Sequence, residues 1–214
     1  FKAKEIEGEL KYAVRRQEET IYYKRLRMAN PEMSRFKDLI LYNLEAGEAV
    51  LTDNNDIRVY TDGKEKFRAL IEEMKQAKRY IHMQYYIIRN DELWQEVEKV
   101  LIQKAREGVE VRVLFDSMGC RTMKNRDWER LEKEGIQVAE FFPALLGQLQ
   151  LRVNYRNHRK IVVIDGRVGF VGGFNVGREY LGRDKKFGYW RDTHLCIEGA
   201  AVTSLAVRFV LDWN

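Results

Sequence analysis

Residues 157–175 read NHRKIVVIDGRVGFVGGFN. The β-branched run at 161–164 predicts a strand, and residues 168–171 predict a second strand that returns beside it. Asp165 and Gly166 lie between the two strands and are typical of a tight hairpin turn. The stretch therefore predicts a β-hairpin that carries polar side chains at its open end.

Strand patterns alternate with helix patterns on both sides of this hairpin. Asp62 and Asp91 are each expected to cap a helix. Strands are predicted at 80–88, 109–115, 136–141 and 193–197, and helices at 62–78, 91–107, 124–134 and 200–213. The β-α-β-α-β order of residues 80–141 indicates parallel strands joined by crossover helices. The expected fold is an α/β domain with a mixed, largely parallel central sheet flanked by helices.

The N-terminal part of the chain is highly charged. Residues 1–29 predict one helix with a thin apolar stripe, which ends before Pro31. This helix either packs on the rest of the protein or lies on a membrane surface. Beyond it, Ser34 is expected to cap a second helix, and residues 49–51 and 57–60 are expected to pair as a hairpin.

The 214 residues include 38 Lys and Arg and 33 Asp and Glu, which gives a net charge of +5. Positive charge is concentrated in residues 152–191, where ten basic residues stand against three acidic ones. This field favours an anionic substrate, either phospholipid head groups or nucleic acid, although a solvated basic face has the same composition. No apolar run reaches about 18 residues, so no membrane-spanning helix is expected. Cys120 and Cys196 are expected to be free thiols.

His158 and Lys160 are the first candidate catalytic residues. Side chains alternate along a strand, so these two are expected to point the same way. Histidine is a nucleophile or base near neutral pH, and lysine offers a positive charge to a phosphate oxygen. Gly172 and Gly173 would let the backbone approach a ligand closely, and Asn175 adds an amide. These residue types indicate attack on a phosphate ester without a metal, and no metal or cofactor is expected.

The spacing of these residues, H-x-K-x4-D-x6-G-G-x-N, resembles the HKD motif of the phospholipase D superfamily. Further blocks resemble the first catalytic half of the bacterial cardiolipin synthases, and they lie at 155–160, 172–177, 179–182, 187–194 and 211–213. The resemblance implies a phospholipase D-like α-β-α sandwich. We accordingly divide the chain into a charged N-terminal helix at 1–33 and a phospholipase D-like domain at 34–214 that carries one HKD motif.

The resemblance implies a role for each residue of the motif. His158 would attack phosphorus and form a phosphohistidine, while Lys160 and Asn175 would stabilise charge on the phosphoryl oxygens. Asp165 would hold the loop, away from the reacting phosphate. Asp192, in a W-x-D-x-H segment, resembles the carboxylate that accepts a hydrogen bond from the catalytic histidine. The alternative for Asp192 is an aspartate at a strand edge or helix cap.

Other residues are candidates for the surroundings of the site. Gln84 and Tyr86, on a predicted strand, are candidate pocket walls. His194 is expected to support the site through hydrogen bonds, and His82 is expected to be a buried support elsewhere on the sheet. The apolar stretch at 141–151 is either part of the core or a loop that meets acyl chains.

The resemblance implies a phosphatidyltransferase that joins two phosphatidylglycerol molecules into cardiolipin and glycerol at an anionic membrane. Relatives with this resemblance carry two HKD motifs, so a second HKD half is expected, either from a longer protein or from a homodimer mate. The chain opens with Phe1 and is expected to be a soluble portion, without transmembrane segments, of a protein at the bacterial cell membrane. Two alternatives remain: a phosphodiesterase or nuclease acting as a one-motif homodimer, and an inactive half that only binds anionic membrane. Nucleic acid is not the favoured partner.

Overall fold

The structure, a computed structural model, describes residues 2–22, 31–141 and 156–214. The helices of these residues are α1 (Lys2–Tyr22), α2 (Lys37–Gly47), α3 (Gly63–Lys75), α4 (Glu92–Arg106), α5 (Asn125–Lys133) and α6 (Ala201–Trp213). The strands are β1 (Asn55–Asp62), β2 (Tyr80–Tyr85), β3 (Glu110–Asp116), β4 (Gln137–Phe141), β5 (Ile161–Ile164), β6 (Val168–Gly172) and β7 (Arg191–Gly199). Two short 3-10 helices lie at Pro31–Phe36 and Arg178–Leu181.

The strands form one mixed sheet in the order β1-β7-β6-β5-β2-β3-β4. The predicted α/β class, with a mixed sheet flanked by helices, is confirmed. Among these seven strands, however, parallel pairing is confined to β2, β3 and β4, and the other neighbours pair antiparallel. The prediction of a largely parallel sheet therefore holds only at that end. The reason is local for β5 and β6, since strands joined by a turn of only three residues, 165–167, can only run antiparallel.

The β-branched run of β5 is buried on both faces of the sheet. Val162 and Ile164 belong to the main core, which lies between the sheet and helices α3, α4 and α5. Ile161 and Val163 point to the other face and pack near Val202 of α6. Alternation along the strand thus gives each face of the sheet its own apolar layer.

Two predicted helix caps are confirmed. The carboxylate of Asp62 accepts hydrogen bonds from the backbone N–H groups of Lys64 and Glu65 at the start of α3. Asp91 does the same for Leu93 and Trp94 at the start of α4. Each cap satisfies two of the N–H groups that a helix end leaves without an intrahelical partner.

Two predictions near residue 50 are wrong. α2 begins at Lys37 after a 3-10 helix, and the Ser34 hydroxyl donates to the carbonyl of Pro31 instead of capping α2. Residues 49–51 form no strand, because the backbone of Leu51 exchanges two hydrogen bonds with the side chain of Gln17 in α1. β1 consequently lies at the edge of the sheet and pairs with β7.

The N-terminal helix packs on its neighbour. Val14 and Ile21 of α1 form a small apolar cluster with Ile40 and Leu44 of α2. The rest of the predicted helix, residues 23–30, lies outside the described residues, as does most of the apolar stretch at 141–151. Among the helices that the structure describes, none is both long enough and apolar enough to cross a membrane.

Candidate active site

The motif residues gather at one edge of the sheet. β5 runs antiparallel to β2, and its first residue, Ile161, pairs with Gln84 near the carboxyl end of β2. The end of β6 and the start of β7 lie at the same edge, where Gly172 pairs with His194. The segment before β5 therefore meets the carboxyl ends of the parallel strands, the side at which α/β sheets bind ligands.

Asp165 lies at the opposite end of β5 and ties the hairpin to β2. It has φ of 57°, and Gly166 has φ of 66°, as a type I′ turn requires. The Asp165 carboxylate accepts hydrogen bonds from the backbone N–H groups of Lys78, Arg79 and Tyr80. Burial acts to raise the pKa of Asp165, but these three hydrogen bonds outweigh it and hold the pKa below its ordinary value.

His158 and Lys160 lie together on the extended segment just before β5. The Lys160 ammonium is 3.0 Å from Nδ1 of His158 and also donates to the carbonyl of His158. The ring of His158 is exposed, whereas Lys160 is 3% exposed. The motif thus presents its histidine outward, with the cation lying behind it.

Burial sets the protonation of this pair. It lowers the pKa of Lys160 to about 8, against the opposing effect of the nearby Asp192 carboxylate. It also lowers the pKa of His158, helped by the charge of Lys160 and opposed by Asp116. At neutral pH the imidazole is therefore uncharged, with a lone pair available, while the ammonium still carries its proton.

The Lys160 contact also fixes the tautomer of His158. A charged ammonium can only donate, so Nδ1 accepts and the ring proton resides on Nε2. Asp192 does not take part. Among the described residues its Oδ1 accepts from the N–H of Thr193, and the predicted hydrogen bond from His158 to Asp192 is not formed. The reason is that Lys160 occupies the ring nitrogen that would donate.

Tyr86 packs against His158 and Lys160. Its ring centroid is 4.5 Å from that of His158 and 5.3 Å from Nζ of Lys160. Gln84 does not line the site in this way. It is buried, and its amide donates to Oδ2 of Asp212 at 2.7 Å.

Asp212 of α6 holds the motif segment in place. Its Oδ2 accepts from the Asn157 amide at 3.0 Å and from Nη1 of Arg159 at 3.0 Å, besides Gln84. The two residues that flank His158 are thereby tied to one carboxylate. Sequence reasoning assigned no role to Asp212, although it lies within a block that resembles the cardiolipin synthases.

Asp116 was also missed. It ends β3, is 1% exposed and accepts from the backbone N–H groups of Met118 and Asn157. Its charge acts to raise the pKa of His158. A carboxylate directly after an apolar parallel strand was the available signal.

The two glycines of the motif make room for β7. A Cβ atom on Gly172 would lie 2.4 Å from the carbonyl oxygen of Thr193, and one on Gly173 would lie 1.9 Å from Oδ1 of Asp192. The N–H of Gly173 donates to the Thr193 carbonyl at 2.8 Å. The space beside these glycines, which was predicted to admit a ligand, is therefore occupied by residues of β7.

Asn175 has protein partners on both sides of its amide. Its oxygen accepts from the N–H of Ile87 at 3.0 Å, and its Nδ2 donates to the hydroxyl of Tyr180 at 2.8 Å. The side chain is 5% exposed. The amide thus links the end of β6 to the segment after β2, and one Nδ2 proton remains beyond these bonds.

The ring of His194 is buried in the sheet. It is 0% exposed, and neither ring nitrogen has a partner among the described residues. The prediction of a hydrogen-bonded support is therefore wrong. Burial, together with the charges of Lys66 and Lys160, lowers the pKa of His194 to about 2, so the ring stays neutral. By contrast, Nε2 of His82 lies 2.8 Å from Glu110, in keeping with the support predicted for it.

Lys66 of α3 lies in the same buried region. It is 0% exposed, and its Nζ donates to the hydroxyl of Tyr85 at 2.7 Å. Burial places the pKa of Lys66 well below its ordinary value.

In the part of the chain that the structure describes, no group of His, Cys, Asp or Glu could hold a metal ion.

The fold and this arrangement of residues define a phospholipase D-like domain. A solved structure with a similar fold is that of a phospholipase D family member, Nuc from Salmonella typhimurium. It is 16% identical, covers 75% of this chain and 95% of its own, and superposes with a TM-score of 0.56. At this level of identity the similarity concerns the fold alone.

The relationship in sequence is narrower. The family model described as "Cardiolipin synthase, PLD-like domain" matches residues 70–198. The cardiolipin synthase of Oceanobacillus iheyensis is 52% identical over 86% of this chain, and cardiolipin synthase 2 of Staphylococcus epidermidis is 47% identical over 99% of it. The chain belongs to the cardiolipin synthase family of phospholipase D-like domains. It spans 38% and 43% of the length of these two curated relatives.

Proposed function

We propose that this chain is one catalytic half of a phosphatidyltransferase of the cardiolipin synthase type. It would transfer the phosphatidyl group of one phosphatidylglycerol to the hydroxyl of another, giving cardiolipin and glycerol. The observation that carries this proposal is the exposed, neutral His158 backed by the buried cation of Lys160, in a chain about half identical to cardiolipin synthases.

In the first step His158 is the nucleophile. Its Nε2 forms a bond to phosphorus as the bond from phosphorus to the glycerol oxygen breaks, and the leaving oxygen keeps the electron pair. An acid in the second HKD half protonates that oxygen. Covalent catalysis of this kind divides one difficult displacement into two easier ones. Lys160 would stabilise the phosphoryl oxygens, and the remaining Asn175 proton would add a hydrogen bond.

This step requires a change of tautomer. Nε2 can attack only when it has lost its proton, so Nδ1 must carry one and donate it to an acceptor. We infer that Lys160 turns toward the bound phosphate and that Asp192 becomes the acceptor for His158. Two observations support this: Asp192 lies near enough to Lys160 to raise its pKa, and it packs against Gly173 of the motif.

In the second step the hydroxyl of another phosphatidylglycerol attacks the phosphohistidine. The base that formed in the first step takes the hydroxyl proton, the bond from phosphorus to Nε2 breaks, and His158 is regenerated. The pKa of His158, lowered by burial, makes the imidazole a better leaving group than a strongly basic nitrogen would be.

We infer that a second HKD half completes the site. The chain contributes one motif, its His158 is open to the surface, and it spans about two fifths of its curated relatives. The half would come from the remaining part of a longer protein at the bacterial cell membrane, or from a second copy. Within this chain we assign catalysis to residues 34–214 and treat residues 1–33 as an N-terminal extension.

Product analysis tests the transferase proposal. Phosphatidylglycerol vesicles are incubated with the chain in the presence of a chelator, with and without the complementary half of a curated relative, and the lipids are identified by mass spectrometry. Cardiolipin and glycerol are expected, and His158→Ala is expected to abolish both. Tyr42→Ser, at an exposed residue of α2, is the matched control. Cardiolipin formation by His158→Ala at the normal rate would contradict the proposal.

A phosphodiesterase is the second candidate. The concentration of basic residues at 152–191 and the single motif favour this candidate. Chemically, water would attack the same phosphohistidine in place of the second alcohol. In the same incubation it predicts phosphatidic acid in place of cardiolipin. A nuclease would instead cleave single-stranded DNA in the presence of the chelator.

A further inference from the structure

The segment that leads from the 3-10 helix at Arg178–Leu181 into the first residue of β7 combines exposed aromatic rings with positive charge. We call residues 183–191, RDKKFGYWR, the 183–191 loop. Its Phe187 is 49% exposed, and its Tyr189 is 69% exposed. Two exposed aromatic side chains only two residues apart favour contact with a membrane surface or another molecule, where exposed apolar area becomes covered.

The loop is also positively charged. Arg183, Lys185, Lys186 and Arg191 are exposed. The single carboxylate, that of Asp184, is used within the loop, since it accepts from the N–H of Lys186 at 2.9 Å and lies 3.6 Å from Nε of Arg178. Among the described residues, Lys185 and Lys186 form no ion pair with a carboxylate, and Nζ of Lys186 lies 5.4 Å from the centroid of the Phe187 ring. The cations therefore remain available to an anionic partner.

A chain of aromatic contacts connects the loop to the motif. The ring of Phe187 lies 5.6 Å from Trp190, and Trp190 lies 5.1 Å from Tyr180. The hydroxyl of Tyr180 accepts from the Asn175 amide. The loop is thus held beside the candidate active site by packed rings, and Asp192 follows it directly in the sequence.

We propose that the 183–191 loop docks on the surface of an anionic lipid bilayer. Phe187 and Tyr189 enter the head-group region, where amphipathic aromatic rings are favoured, and the lysines bind lipid phosphates. Docking in this orientation brings the motif to the level of the head groups, so a lipid phosphate reaches His158 while its acyl chains stay in the bilayer. The proposal rests on the proposed function and names the surface through which that function meets its substrate.

Vesicle binding by the chain, without any turnover, tests the docking surface. Flotation is measured with vesicles of phosphatidylglycerol and phosphatidylcholine, and with phosphatidylcholine alone, at low and high salt. The chain is expected to bind the mixed vesicles and to be released by salt, which screens exposed charges. Lys185→Gln with Lys186→Gln is expected to weaken binding by about tenfold or more, since each basic residue near an anionic surface adds to the attraction.

The aromatic part is tested separately. Tyr189→Ser is expected to weaken binding several-fold; the side chain is largely solvated, so the fold should not depend on it. Phe187→Ser is expected to act in the same direction but also removes a contact with Trp190. Tyr42→Ser is the matched control, because Tyr42 is 67% exposed and lies on α2, a different element.

Three outcomes would overturn the proposal. Equal binding to vesicles without anionic lipid would remove the role of charge. A loss in Tyr42→Ser as large as that in the loop variants would place the contact elsewhere. Weaker binding of single-stranded DNA by the loop variants, with vesicle binding unchanged, would make the loop a nucleic-acid surface.

Turnover separates this inference from the proposed function. With the complementary half present, loop variants are expected to lose transfer on vesicles but to keep it on short-chain phosphatidylglycerol dissolved as monomers. Loop-dependent vesicle binding without any transfer would refute the proposed function alone. Transfer on vesicles that loop substitutions leave unchanged would refute the docking surface alone.

Discussion

The Lys160 ammonium lies 3.0 Å from Nδ1 of His158, on the ring nitrogen that must donate a hydrogen bond when the histidine acts as a nucleophile. In this arrangement the ammonium of Lys160 and Nδ1 of His158 form a hydrogen bond with each other. A bound phosphate would compete for the ammonium and release Nδ1. We therefore interpret the pair as a resting state that substrate binding opens, with Asp192 as the next partner of the ring.

The pH dependence of turnover should report Lys160. Its pKa is about 8, so the charge that stabilises the phosphoryl oxygens is present below that pH and is lost as pH rises through it. The rate is therefore expected to fall on the alkaline side near pH 8. Lys160→Arg should be slower but should lack this alkaline limb, because arginine stays charged. An unchanged limb in the pH–rate profile of Lys160→Arg would show that another group titrates.

The acid limb of the same profile should report His158. The imidazole must be unprotonated to attack, and burial lowers its pKa from the ordinary 6.5. The rate should therefore hold down to a pH below 6.5 before it falls.

Asp192→Asn tests the proposed acceptor. An amide cannot stabilise the imidazolium character that develops on His158, so kcat should fall by about 10²- to 10⁴-fold. Vesicle binding should be unchanged. Asp56→Asn, at an exposed position on β1, is the control and should keep full activity. A decrease in kcat of less than threefold for Asp192→Asn would exclude the acceptor role.

Gly173→Ala should damage the site through a direct clash. Its Cβ would lie 1.9 Å from Oδ1 of Asp192, so the carboxylate or β7 must move. We expect at least a tenfold loss of activity and a decrease of about 1–3 kcal/mol in the free energy of unfolding. Gly8→Ala in α1, which meets no atom within 4 Å, is the control and should be neutral or stabilising. Urea unfolding measures both variants.

Asp212→Ala should loosen the motif segment. It removes the acceptor shared by Gln84, Asn157 and Arg159, of which Gln84 and Asn157 are buried. The free energy of unfolding should fall by about 1–3 kcal/mol, and the rate should fall with it because His158 lies between the released residues. Asp212→Asn keeps an acceptor oxygen and should lose less of both. Equal effects of the two substitutions would contradict this account.

Lys66→Met tests the buried amine. The folded state holds the pKa of Lys66 well below 10.5, its ordinary value, so folding works against protonation of this amine at a cost that shrinks as pH rises toward 10.5. The free energy of unfolding of the parent should therefore rise between pH 7 and 9, and Lys66→Met should flatten that rise. Urea unfolding across this range measures the slope. Identical slopes in the two proteins would show that Lys66 is not responsible.

Local sequence patterns were sufficient for the hairpin and the helix caps. The run of β-branched residues in β5, the Asp165–Gly166 turn and the capping carboxylates of Asp62 and Asp91 all act over two to four residues. Their geometry is largely independent of the rest of the chain. Residues 49–51 show the limit of this reasoning, since a side chain of α1, 34 residues away, takes the hydrogen bonds that a strand would have used.

The sequence alone specifies the residue types for phosphate chemistry, their spacing and the family they indicate. A nucleophile, a cation and two glycines must be present in the chain whatever its packing. Their partners were decided by tertiary structure. Asp116 and Asp212 reach Asn157 from 41 and 55 residues away, Asp192 meets Gly173 across β6 and β7, and His194 is buried with no hydrogen-bond partner among the described residues. A hydrogen bond depends on separations of about 3 Å, and strand register and the packing of α6 set those separations.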